Sequence, residues 1–155
     1  MTVVVRQAEI ADAPGMARVL DAILDARGSD RPRAAAHVEA YYIRRDGRVS
    51  CAVARDASGD ALGVRSLRRM GPSNPYDLPE GWGVVGTCVR LDLHRSGVGR
   101  ALFAGTLGRA RAAGLAHIDA SVPKDGPPAL AYYDRMGFRD WRGRGTAQGK
   151  RLDLR

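Results

Sequence analysis

Apolar and polar residues alternate along this chain at two different periods, and the switches between them mark out its elements. A valine run over residues 2–7 reads as a first strand. Ala11-Asp12-Ala13-Pro14 then opens a helix, with Asp12 at the N-cap and Pro14 in the first turn. Met16, Val19, Leu20, Ile23 and Leu24 recur at helical spacing and form its buried stripe. Gly28-Ser29-Asp30-Arg31-Pro32 breaks the chain before a second helix over 34–44. Residues 49–55 and 61–67 read as a hairpin turned at Asp56-Ala57-Ser58-Gly59-Asp60. The stretch 71–81 holds three prolines and is too long for a simple hairpin connection, which makes it a candidate wall of a substrate site. A central strand over 82–89 follows, then a helix over 98–113 closed by Gly114, and a strand over 117–122. A helix running to Met136 and two strands at 138–142 and 151–154 complete the chain. The pattern predicts one α/β domain over residues 1–155, a mixed, mostly antiparallel sheet of about seven strands flanked by about four helices. The strands before and after the long helix should run parallel, because a crossover through a helix returns the chain in the same direction.

Composition narrows the partners without choosing one. The chain has 155 residues and a formal charge of +8, nearly all from arginine, since Lys124 and Lys150 are the only lysines. A cationic surface suits a polyanionic cofactor and equally suits nucleic acid. No basic strand interleaved with aromatics, no Cys/His metal spacing and no long basic helix accompanies it, so no metal is expected and nucleic acid is disfavoured. Arginine in place of lysine, with abundant alanine and glycine, points to a GC-rich bacterial genome. Cys51 and Cys88 lie in apolar, strand-like runs and read as buried free thiols of a reducing cytoplasm. The first residues lack the long apolar core of a signal peptide, and no stretch approaches a membrane span.

The most informative chemistry sits where the β-branched run ending at Cys88-Val89 gives way to a helix. The loop between them contains His94-Arg95-Ser96-Gly97-Val98-Gly99-Arg100. A helix start leaves about four N–H groups unpaired and carries roughly half a positive charge, so it attracts phosphate. Glycines let the main chain come close to phosphate oxygens, and Arg95 and Arg100 add charge. The loop therefore reads as a pyrophosphate cradle. A Walker loop would need G-x-x-x-x-G-K-[ST], which the chain lacks. A dinucleotide fingerprint needs a third glycine where Leu102 stands, although Asp119 lies where a ribose-binding acid would be expected.

The order strand, x-x-G-x-G, helix resembles motif A of the GCN5-related N-acetyltransferases (GNAT), whose loop binds the pyrophosphate of acetyl-CoA. His94 stands where that family usually has arginine or glutamine. A second match follows at family spacing: Ala129-Leu130-Ala131-Tyr132-Tyr133-Asp134-Arg135-Met136-Gly137-Phe138 is similar to the A-x-x-x-Y-x-x-x-G-F signature. The resemblance is specific between about residues 84 and 141. It implies a GNAT fold with splayed parallel central strands and a thioester lying between them, a homodimer, and direct acetyl transfer from acetyl-CoA to a primary amine. Cys88, Val89, the loop from His94 to Arg100, and Tyr133 are then the cofactor-binding set.

Acetyl transfer needs a base for the protonated amine, a donor for the tetrahedral oxyanion and a proton or hydrogen bond for the departing thiolate. The resemblance assigns the last role to Tyr133, a phenol whose ordinary pKa lies close enough to a thiol's for proton transfer. Tyr132 points roughly 100° away around the helix and reads as core. Many relatives carry a glutamate on the central strand, but residues 82–89 hold no carboxylate. Glu80, just before the strand, is the candidate base, directly or through water, with Asp77 beside it on the substrate side. Asp77 and Glu39 are weaker candidates for that base. Cys88 as a covalent nucleophile lacks any His or acid at recognisable spacing. His37 and His117 read as structural, and Gly126 stands where the family often has asparagine. The acceptor, a small-molecule or a protein amine, is not legible. A basic nucleic-acid-binding or regulatory module of the same fold, without turnover, is the alternative.

Overall fold

The computed structural model describes residues 2–93 and 95–154. Its strands are β1 (Val4–Gln7), β2 (Arg48–Arg55), β3 (Ala61–Arg69), β4 (Gly83–Val89), β5 (His117–Pro123), β6 (Arg139–Arg144) and β7 (Ala147–Asp153). Among the described residues these seven form one sheet in the order β1-β2-β3-β4-β5-β7-β6. Every pairing is antiparallel except β4 with β5, the pair joined through helices.

Helices cover both faces. The first, α1 (Ala13–Ala26), buries Met16, Val19 and Leu20, while Ile23 and Leu24 at its far end stay half-buried. Met16 and Val38 of α2 (Ala35–Val38) pack on Cys51, Val53 and Val64, closing one face of the sheet. Burying a side chain of this size contributes about 1.5–3 kcal/mol. On the other face, α3 (Val98–Ala104), α4 (Thr106–Ala112) and α5 (Pro127–Arg135) enclose a core of Leu67, Val85, Phe103, Ala110, Ile118, Ala120, Val122, Tyr133 and Phe138.

Three local expectations are corrected. The helix expected over 34–44 keeps regular turns only to Val38 and continues as a wider π-helical turn, Glu39–Ile43, which sets Tyr41 and Tyr42 side by side. The single helix expected over 98–113 is two, broken at Gly105. Gly105 and Gly108 each cost a helix about 1 kcal/mol relative to alanine. The carbonyl of Leu102 at the break instead accepts from Arg65 Nε and Thr106 Oγ1, both at 3.4 Å. Asp12 occupies the N-cap position of α1, but its carboxylate takes two hydrogen bonds from Arg6 and one from the backbone N–H of Glu9, each 2.8 Å. It ties β1 to the turn before the helix rather than capping α1.

The last strand is also longer than its apolar pattern suggests, starting at Ala147 rather than 151. Its Lys150 is buried yet pairs with Asp134 at 2.5 Å and Asp140 at 2.6 Å, so a polar residue sits in an interior strand at little electrostatic cost.

Candidate active site

The parallel pair β4·β5 is short. Only Gly83↔Ile118 and Val84↔Asp119 are in register, after which β4 continues along β3 to Val89 while β5 continues along β7 to Pro123. Beyond Val84 the two strands fork, and β4 presents its main chain to the gap. Backbone groups of a strand without a neighbour need partners, so the fork offers hydrogen bonds to an extended ligand chain. Gly86 within this stretch is exposed, and Thr87, Cys88 and Val89 are half-buried.

Side chains alternate across β4. Thr87 shares its face with Val85 and meets α5: the Tyr133 hydroxyl donates to Thr87 Oγ1 at 3.2 Å. Tyr133 is buried, and burial pushes its phenol pKa well above the ordinary value of 10.0. A phenol raised away from a thiol's ordinary pKa of about 8.5 holds its proton more tightly, so burial disfavours proton transfer to a thiolate and leaves the hydroxyl able to donate a hydrogen bond. Cys88 faces the opposite way, against Tyr42, and burial raises its thiol pKa, so it is a poor nucleophile.

The loop at the end of β4 carries two left-handed residues with one residue between them, Arg95 (φ 62) and Gly97 (φ 91). Reversals of this kind gather successive N–H groups into an anion-binding hollow. Arg95, Ser96, Gly97 and Arg100 are exposed at its rim, and Val98 is fully buried beneath it against Ala52, Ala54 and Leu62. His94 lies outside the described residues. Because α3 is shorter than expected, its dipole contributes less, and loop amides and arginines more. The two glycines are needed for different reasons. Nothing lies within 4 Å of a Cβ built on Gly97, whose constraint is its φ. A Cβ on Gly99 would fall 2.8 Å from the Tyr132 ring. Tyr132 packs against the core as expected, and its hydroxyl also donates to the Gly99 carbonyl at 2.8 Å, which fastens α5 to the loop.

The 71–81 loop is rigidly built. Asn74 bonds the backbone of Gly71 and Leu78, Arg142 donates to the carbonyls of Tyr76 and Asp77, and Leu78 is buried against Met70 and Val84. Asp77 itself adopts φ 52. The carboxylates of Asp77 and Glu80 are exposed, and Glu80 precedes the paired end of β4. Four strand residues, about 13 Å at ~3.3 Å each, separate Gly83 from Thr87. Glu80 therefore stands on the paired side of the fork, which opens after Val84, and Thr87 lies farther along β4.

Two further groups stand near the fork: Asp119, noticed in the sequence only as a possible ribose-binding acid, and Arg68, which the sequence pattern did not single out. Asp119, on the last paired rung, is 1% exposed, accepts from Trp141 Nε1 at 2.8 Å, and has its pKa raised by burial. Arg68 pairs across the strands with Val84 and is also buried. Its Nη2 donates to the hydroxyls of Tyr41 (3.4 Å) and Tyr76 (3.3 Å). Burial opposes ionisation of Tyr41, but Arg68 and Arg45 outweigh it and hold the phenol below its ordinary pKa. Burial raises Tyr42 to about 12. Arg65 and Arg68 fall on opposite faces of β3, and both faces are covered, so the spacing of two arginines in an interior strand was the available signal. Elsewhere His37 stacks on Tyr41 at 5.1 Å, and His117 packs under Trp82 and meets Asp153 at 2.7 Å.

Residues 16–138 match the family model described as Acetyltransferase (GNAT) family. No curated protein sequence matches the chain. Solved structures share its architecture at low identity. A GCN5-related N-acetyltransferase from Kribbella flavida is 22% identical with TM-score 0.81, covering 98% of each chain. The yncA protein of Salmonella typhimurium, solved with its cofactor acetyl-CoA, is 19% identical with TM-score 0.81, covering 100% of this chain and 95% of that one. A GNAT superfamily phosphinothricin acetyltransferase from Sinorhizobium meliloti, in complex with AcCoA, is 20% identical with TM-score 0.80, covering 99% and 89%.

Proposed function

Because the chain belongs to the GNAT acetyltransferase family, we propose that it is an acetyl-CoA-dependent N-acetyltransferase that passes the acetyl group directly to a primary amine. The observation that carries this reading is the fork between β4 and β5, with a left-handed glycine loop at its end and a buried tyrosine at its side. In this reading the loop from His94 to Arg100 holds the pyrophosphate. The main chain of β4 at Cys88 and Val89 bonds the pantetheine arm. The thioester then lies in the fork, where a β4 amide stabilises the oxyanion.

Tyr133 faces the sulfur and stabilises the thiolate as it departs. The amine enters from the face that carries α1, α2 and the 71–81 loop, with Asp77 and Glu80 on its approach. Glu80 takes the amine's proton through water, and Asp119, whose raised pKa suits a base, is the second candidate. The two unpaired cysteines fit a reducing cytoplasm, and the family likeness suggests a homodimer, which light scattering tests.

Calorimetry with acetyl-CoA, and separately with duplex DNA at two salt concentrations, tests the reading. Acetyl-CoA binding that resists salt supports the enzyme. Steeply salt-dependent DNA binding without acetyl-CoA binding supports the basic module instead.

A further inference from the structure

Arg68 is a buried cation without an anion. Among the described residues it forms no ion pair, and its two hydrogen-bond partners are the neutral hydroxyls of Tyr41 and Tyr76. Its guanidinium also lies 4.9 Å from the Tyr41 ring centroid, with Arg45 at 4.1 Å from the same ring. A charge taken out of water costs several kcal/mol unless it is paired, and an apolar side chain would fill the same space more cheaply. The arrangement makes sense if the missing anion arrives with a ligand.

Arg68 lines a cavity of about 160 Å³ together with Arg45, Asp46, Arg69, Asn74 and Tyr76. The Arg69 guanidinium turns away to the Ala113 carbonyl on the other face of the sheet, so Arg68 and Arg45 stand against one carboxylate, Asp46, and leave the cavity positively charged. The volume equals roughly five waters, enough for a small polar head group and too little for a folded chain or peptide. The cavity is separate from the pyrophosphate loop. Arg68 is level with Val84, five strand residues or about 16 Å from Val89, where that loop begins. It is close to the fork. Gly86 is two residues on from Val84, about 6.6 Å, and side chains two apart share one face of a strand. Tyr42, next to Tyr41 in the π-helical turn, packs beside Cys88 on this face.

We infer that Arg68, seated between Tyr41 and Tyr76 under the 71–81 loop, recognises the carboxylate of the acceptor, so that the substrate is a small amino acid rather than a simple amine or a protein amine. The inference rests on the acetyltransferase reading and gives it a substrate class. The carboxylate docks on Arg68, and the amine of the same molecule points along β4 toward Gly86. A lysine side chain or a protein N-terminus has no carboxylate at that distance from its amine.

The test compares glycine, alanine, methionine and glutamine, each against its carboxamide, as acceptors and as ligands of the CoA-loaded protein in calorimetry. At least one acid should bind and be acetylated with kcat/KM about tenfold or more above its amide, the scale of a charge-assisted hydrogen bond. Arg68→Met should erase that preference while acetyl-CoA affinity and circular dichroism stay unchanged, and Arg68→Lys should keep part of it. Amides bound as well as acids, no binding of any acid, or a preference surviving in Arg68→Met would each overturn the inference. If Arg68→Met does not fold, the wild-type comparison and Arg68→Lys decide. Failure to bind acetyl-CoA, measured separately, would instead remove the acetyltransferase reading itself.

Discussion

Replacing Tyr133 by phenylalanine asks what the buried hydroxyl does. The ring stays packed against Phe138 at 5.2 Å between centroids, so the core should hold. The change removes one hydrogen bond, to Oγ1 of the half-buried Thr87. A net cost of about 0.5–1.5 kcal/mol in stability follows. The catalytic cost depends on whether the phenol gives up its proton. Burial raises its pKa well above that of a thiol, so the proton stays on oxygen and the hydroxyl contributes one hydrogen bond to a developing thiolate. Such a bond to a charged group is worth about 1.5–3 kcal/mol, or roughly 10- to 150-fold in rate. The same reasoning fixes the pH behaviour: because the folded pKa is raised, Tyr133 stays protonated through pH 6–10 and adds no limb to the rate profile there. CoA release by the wild type and Tyr133→Phe across that range, with acetyl-CoA affinity measured beside it, is the assay. A loss under threefold would end the catalytic role. A loss above about 10³ would restore full proton transfer.

Other outcomes follow from named contacts. Gly97→Glu adds bulk and negative charge at a left-handed residue and should weaken acetyl-CoA binding at least about tenfold with the fold retained; Gly97→Ala isolates the backbone part, about 1–2 kcal/mol. In Gly99→Ala the new methyl meets the Tyr132 ring, so stability should fall by about 1–3 kcal/mol by thermal melting. Adding Tyr132→Leu should recover part of that loss, whereas strictly additive changes would refute the contact. Asp119 holds its proton more tightly folded than unfolded, so its contribution is complete at low pH and is lost as pH rises through the folded value. Asp119→Asn keeps an acceptor for Trp141 and removes the buried charge. Its melting temperature should exceed the wild type's at pH 7–8, with the gap closing toward pH 4; a gap independent of pH would contradict this.

Local signals were legible where neighbouring residues alone decide the conformation. The 3.6-residue stripe of α1, the hairpin turn at residues 56–60, and the helix closure at the left-handed Gly114 are all short-range effects, and each appears where the spacing placed it. So do the parallel order of β4 and β5 and the two motifs that carry the family likeness. What the sequence by itself determined is thus the strands, most of the helices, their order and the position of the glycine loop, because backbone propensity and burial period act within a few residues.

Only the tertiary structure decided which groups meet. The carbonyl of Leu102 at the helix break accepts from Arg65 arriving from β3, and β7 tolerates Lys150 because α5 and β6 each bring an aspartate. Gly99 owes its bareness to a tyrosine thirty-three positions later, and the opening of the fork is a matter of where β4 stops pairing with β5. The cluster of Arg68, Tyr41 and Tyr76 draws on three segments, none of which carries a motif. A chain's pattern reports how often a residue is buried. It does not report against what, and both the desolvation of a charge and the pKa of a phenol are set by that second fact.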